Sequence, residues 1–92
     1  MRVLVTPSFV RATKKLHVPQ KTELDQAVRA ISNDPAIGDA KVGDVVGIRV
    51  YKFRLSNQLC RLAYRILDAE SSKILTFGPH ENFYRDLKRV EN

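Results

Sequence analysis

Val50-Tyr51-Lys52-Phe53-Arg54-Leu55 and, after Ser56-Asn57-Gln58-Leu59, Cys60-Arg61-Leu62-Ala63-Tyr64-Arg65-Ile66 decide the fold. Successive side chains of a strand point to opposite faces. Tyr51, Phe53 and Leu55 therefore share one face, with Lys52 and Arg54 on the other. Cys60, Leu62, Tyr64 and Ile66 likewise oppose Arg61, Ala63 and Arg65. Two such runs across a short polar link read as an antiparallel hairpin. With 56–59 as a four-residue turn, Leu55 faces Cys60, Arg54 faces Arg61, Phe53 faces Leu62 and Tyr51 faces Tyr64. A one-residue slip would bury arginines, so one core must receive both apolar rows.

The flanking sequence supplies layers for that hairpin. Residues 1–5 read as a short strand. Thr6 can cap a following helix with Pro7 at its first position, where a missing N–H costs nothing. Phe9, Ala12 and Leu16 recur at helical spacing, and Pro19 stops this helix near His17-Val18. Leu24, Ala27, Val28 and Ile31 mark a second amphipathic helix ended by Asn33-Asp34-Pro35. So short a link makes the two an antiparallel helical hairpin. Residues 35–47, with Gly38, Gly43 and Gly47, read as loop. A third strand lies near 73–78, and Phe83, Leu87 and Val90 give a short C-terminal helix. The expectation is an α+β domain with an N-terminal strand, a two-helix hairpin and a mostly antiparallel sheet.

Ninety-two residues, 43% of them hydrophobic and 28% charged, fit one domain spanning 1–92. No apolar run approaches a membrane span, and the first residues are too weakly apolar for a signal peptide. A lone cysteine, Cys60, excludes an internal disulfide, and no His/Cys/carboxylate spacing suggests zinc. A reducing cytoplasm is the expected compartment.

The chain carries 16 Lys and Arg against 10 Asp and Glu, a net charge of +6. So basic a small domain attracts polyanions. Between Asp44 and Asp68 there are five basic residues and no acid. Like charges set opposite each other across strands are mildly destabilising. Two arrangements would balance Lys52, Arg54 and Arg61: nearby carboxylates such as Glu81 or Asp86, or an external anion. The acid-free stretch favours the anion, and guanidinium groups suit phosphate. After the last strand, His80 stands at a strand-to-helix transition with Tyr84 one helical turn on. Taken alone, His80 reads as a cap or turn residue and Tyr84 as half-buried packing.

Taken together, Val50-Tyr51-Lys52-Phe53-Arg54-Leu55, Arg61-Leu62-Ala63-Tyr64-Arg65 and the 80–84 segment before Arg85-Asp86-Leu87 carry a resemblance. The chain resembles the RelE/ParE superfamily of bacterial toxins from type II toxin–antitoxin systems, over almost its whole length. The resemblance implies a RelE-like fold, a cognate antitoxin as partner, and cleavage of mRNA on the ribosome without a metal or other cofactor. RelE-like members use the RNA's own 2′-hydroxyl to attack the adjacent phosphate. Lys52, Arg54 and Arg61 match basic positions used at the phosphate. His80 matches a histidine that several branches use as acid or base, and Tyr84 an aromatic used for stacking or proton transfer. Arg65 and Arg85 are further candidate RNA contacts. RelE itself carries a basic residue in place of His80, and no proton-abstracting base stands out. The competing expectations are a ParE-like toxin acting on DNA gyrase and a non-catalytic RNA-binding module. A membrane-surface role is disfavoured because the basic residues lie on strands.

Overall fold

The computed structural model describes residues 2–40 and 47–79. The order is β1 (Arg2–Val5), α1 (Pro7–Lys14), α2 (Val18–Asn33), β2 (Asp39–Ala40), β3 (Arg49–Leu55), β4 (Gln58–Asp68) and β5 (Ser71–Gly78). The strands form one sheet in the order β1-β5-β4-β3-β2. β1 runs parallel to β5, and every other pair is antiparallel. The α+β architecture is the expected one, with strands outnumbering helices. The C-terminal helix expected around Phe83, Leu87 and Val90 lies outside the described residues.

Local chemistry explains the helices. Thr6 is the N-cap of α1: its hydroxyl accepts the Phe9 N–H at 3.1 Å and donates to the Leu75 carbonyl of β5. Its own N–H reaches the Ile74 carbonyl at 3.2 Å, so one buried residue joins β1, α1 and β5. Pro19 falls in the first turn of α2, where its missing N–H goes unmissed. The Gln20 side chain accepts the His17 N–H at 3.0 Å and closes that terminus. Phe9 of α1 and Leu24, Ala27 and Ile31 of α2 pack on Phe53, Leu55, Cys60, Leu62, Tyr64 and Ile74 of the sheet. Both helices thus cover the face that alternation assigns to the apolar rows.

The hairpin register differs from the expected one. Ser56 and Asn57 alone form the turn, both with positive φ, 51° and 67°. Positive φ at both central residues is the requirement of a type I′ hairpin turn, whose twist suits the flanking strands. Glycine is absent here, but α2 assists: Ser56 N–H donates to Glu23 Oε1 at 3.0 Å. Shortening the turn by two residues moves every pair. Leu55 faces Gln58, Phe53 faces Cys60, Tyr51 faces Leu62, Arg49 faces Tyr64, and Arg54 faces Leu59 instead of Arg61. A two-residue shift preserves facing, so the buried set survives while the partners change.

The segment after α2 also departs from a plain loop. β2 adds two residues to the edge, with Asp39 opposite Val50 and Ala40 opposite Arg49. The fully buried Tyr64 holds it there. Its hydroxyl donates to the Pro35 carbonyl at 2.6 Å and accepts the Gly38 N–H at 3.0 Å. A Cβ on Gly38 would stand 2.8 Å from that hydroxyl and 2.9 Å from the Val50 carbonyl, so the approach requires glycine.

The triple tether at Thr6 makes it a sensitive position. Thr6→Val should lower stability by about 1–3 kcal/mol, through loss of the cap and an unpaired buried Leu75 carbonyl. Thr6→Ser, which keeps the hydroxyl, should stay within about 1 kcal/mol of the parent; urea unfolding midpoints check both.

Candidate functional site

The face of the sheet away from the helices carries the candidate site. In the observed register Lys52 lies directly opposite Arg61. Lys52 is exposed and Arg61 half-buried. Arg54 is not opposite Arg61; it sits two positions along the same face, a diagonal neighbour within reach of a long side chain. Its guanidinium donates to the Asn57 carbonyl at 3.1 Å, so the residue also braces its own turn. Lys52, Arg54 and Arg61 thus share one face, with a lysine opposite Arg61 where the sequence suggested an arginine.

Arg65 belongs to the same face of β4, four residues beyond Arg61. Its guanidinium packs against Gly47, whose φ of +87° and lack of a side chain admit it. Arg49, the fifth basic residue of the acid-free stretch, does not join the cluster. It alternates to the helix-bearing side, where Nη2 donates to the Ala36 carbonyl at 3.0 Å and helps Tyr64 hold the segment after α2. Its Nε is buried without a partner among the described residues. His80, Tyr84 and Arg85, with the carboxylates Glu81 and Asp86, lie outside the described residues.

The face is not uniformly polar. Val50 and Ala63, cross-strand partners between the basic positions, are buried. Among the described residues one ion pair is present, Asp25–Arg29 at 3.0 Å on exposed α2, and neither Lys52 nor Arg61 has a carboxylate partner there. No group of three His, Cys, Asp or Glu side chains among them could hold a metal ion. Cys60 is no nucleophile: it is buried on the core face, and burial pushes its thiol pKa up although Arg61 pulls the other way.

Chemically, the arrangement offers two strand-mounted cations opposite each other, Lys52 exposed and Arg61 half-buried, with Arg54 on the same face. Such a pair can grip one phosphodiester and stabilise extra charge developing on it. Two positions escaped sequence reasoning. The hydroxyl of Tyr64 gave no signal because an apolar row explains the ring completely. Lys73 went unplaced because its facing depends on the pairing of β5 with β4.

The comparisons bear on the family and the fold. Residues 3–88 match the family described as ParE-like toxin of type II bacterial toxin–antitoxin system. No curated protein matches the chain by sequence. Among solved structures, a double arginine-to-alanine mutant of E. coli toxin RelE in the free state aligns with a TM-score of 0.73 at 18% identity, covering 96% of this chain and 94% of that one. A chain of the intact E. coli RelBE toxin–antitoxin complex gives a TM-score of 0.68 at 18% identity, covering 87% of this chain and 96% of that one. A chain of the archaeal RelE–RelB complex from Pyrococcus horikoshii OT3 gives 0.60 at 20% identity, covering 87% and 94%. At these identities the likeness is one of fold.

The Lys52–Arg61 pair yields a separation of stability from binding. Lys52→Met keeps the length of the side chain and removes its charge. It should leave stability unchanged or raise it by up to about 1 kcal/mol, since like-charge opposition is relieved. The same variant should elute from heparin at lower salt; paired denaturation and elution measurements check the two halves.

Proposed function

Because this chain belongs to the family of ParE-like toxins of type II bacterial toxin–antitoxin systems, we propose that it is a RelE-type endoribonuclease that cuts mRNA on the ribosome and is neutralised by a cognate antitoxin. The observation that carries the reading is the opposition of exposed Lys52 and half-buried Arg61, with Arg54 two positions along the same face. A core-driven hairpin has no need to set two cations opposite each other. A phosphodiester gives them a common partner.

The reaction is an internal transfer at phosphorus. The 2′-hydroxyl oxygen bonds to the adjacent phosphorus, the bond from phosphorus to the 5′-oxygen breaks, and a 2′,3′-cyclic phosphate and a 5′-hydroxyl result. The proton lost from the 2′-hydroxyl passes to a base, and the departing 5′-oxygen takes one from an acid. In the pentacoordinate transition state extra negative charge gathers on the non-bridging oxygens. Lys52, Arg54 and Arg61 are assigned to that charge. His80 is assigned as the acid, and Tyr84 as the residue that stacks on a base or relays a proton. Arg65 and Arg85 extend the contact to neighbouring phosphates.

The ParE-like description of the family favours a second reading, inhibition of DNA gyrase. The two readings differ at the basic face, which RNA cleavage needs and a gyrase-directed surface does not. In a cell-free translation system the purified protein should stop synthesis and leave cut mRNA only when ribosomes are present, with gyrase supercoiling untouched. Blocked supercoiling with intact message would establish the gyrase reading instead. His80→Ala should slow single-turnover cleavage by on the order of 10²–10⁴-fold, with ribosome binding little changed. Cleavage at the parent rate would return His80 to a structural role.

A further inference from the structure

Gly78, the last residue of β5, stands directly opposite Arg61, so one row across this face of the sheet reads Lys52, Arg61, Gly78. A glycine weakens a strand, through the entropy it loses on folding and the side chain it does not pack, and is kept where something requires it. The usual internal requirements do not apply here. Its φ lies outside the left-handed region, where Gly47 alone of the described glycines is found. The irregularities of the β4–β5 ladder fall between Ala63 and Tyr64 and between Ile66 and Asp68, not at Gly78. Pro79 asks the residue before it only for extended backbone, which any strand residue supplies. Close packing does not call for glycine either: a Cβ on Gly78 would meet nothing within 4 Å, whereas one on Gly38 would run into Tyr64. The remaining reason for a bare strand is the close approach of a ligand.

Leu59 lies on the same face, opposite Arg54 and two residues from Arg61, and is 41% exposed. That position is diagonal to Gly78, at about 7–8 Å. An isolated exposed leucine is ordinary. This one stands beside open backbone and between two arginines. In one direction the face closes, where Val50 and Ala63 are buried; toward the turn it opens, where Lys52, Arg54 and Leu59 are all exposed. Resting on the RNA-cleavage reading, we propose that Gly78 and Leu59 form the seat of a nucleobase next to the phosphate held by Lys52 and Arg61. A base of single-stranded RNA presents a flat apolar face, which a bare peptide and an aliphatic side chain can accept. The cations beside the seat select a nucleotide over a neutral apolar ligand. Every base has such a face, so the seat fixes where a base lies and not which base it is.

Gly78→Val fills the open space and Leu59→Ser removes the apolar surface; Leu67→Ser, at another exposed leucine near the far end of β4, is the control. Ribosomes are programmed with a message that carries 2′-deoxyribose at the cut site, so that it binds without being cut, and pelleting follows the bound protein. A second message is abasic at the two nucleotides flanking that phosphate. On the intact message Gly78→Val and Leu59→Ser should each weaken binding about five- to thirtyfold, the lower part of what a stacked base contributes, and Leu67→Ser should bind as the parent does. On the abasic message the parent should be weakened by a similar factor and the two variants should lose nothing further. Urea unfolding midpoints should stay unchanged for Leu59→Ser and unchanged or higher for Gly78→Val. If Gly78→Val unfolds, Leu59→Ser, which leaves the backbone as it is, decides alone. Parent-like binding of either folded variant to the intact message, or equal losses on the intact and abasic messages, would overturn the base seat and leave the cleavage reading standing. A parent that neither binds programmed ribosomes nor cuts an all-ribose message would overturn the cleavage reading and the seat with it.

Discussion

Strict alternation along β4 is the constraint on which the rest of the molecule depends. β4 is the central strand, paired with β3 on one side and β5 on the other. Leu62 and Tyr64 point into the helix-covered core, both fully buried, while Arg61 and Arg65 point the other way. Any odd register shift would exchange those two sets. Burying a leucine-sized side chain contributes roughly 1.5–3 kcal/mol. Two opposed cations cost at most about 1 kcal/mol. The core therefore decides the facing, and the cation pairs are tolerated on the surface it leaves over.

That hierarchy gives a physical basis for a site on a sheet. A cation on a loop must be held in place at the moment of binding, whereas the backbone of Lys52 is fixed by pairing with β4, and that of Arg61 by pairing with both β3 and β5. The ordering cost is met by folding, and binding need only orient the side chains. The positive charge set on this face suits it to an anion. Cys60 shows the reverse assignment: one residue away from Arg61, it faces the core and is chemically silent.

A few long-range polar contacts join the layers to this sheet. Thr6 links β1, α1 and β5; Glu23 of α2 receives the turn at Ser56; Tyr64 and Arg49 hold the segment after α2. Each joins a backbone group to a side chain on another element, so each is satisfied only when the layers have met. They position what alternation cannot, namely the loops and the turn. Arg54 shows that one side chain can belong to both systems, since it braces Asn57 while standing in the cation cluster.

Periodicity alone determined most of the architecture. The apolar spacings at Phe9 and at Leu24, Ala27 and Ile31, with Thr6-Pro7 and Pro19 as punctuation, specified both helices, and the alternation of 50–66 specified which side of the hairpin is buried. These are local signals, read over one or two turns of chain. Three features needed the tertiary structure. The hairpin register turned on whether Ser56 and Asn57 would both accept positive φ without glycine, and Glu23, 33 residues away in sequence, helps them do so. β2 is two residues long, too short to carry a period, and exists because the buried Tyr64 hydroxyl and a glycine that tolerates its approach bring the chain to the edge. The candidate site was legible as a set of basic residues on one face, but not as pairs. Pairing is a relation between strands, so only the assembled sheet could put Lys52 opposite Arg61, set Lys73 opposite Arg65, and turn Arg49 to the other side.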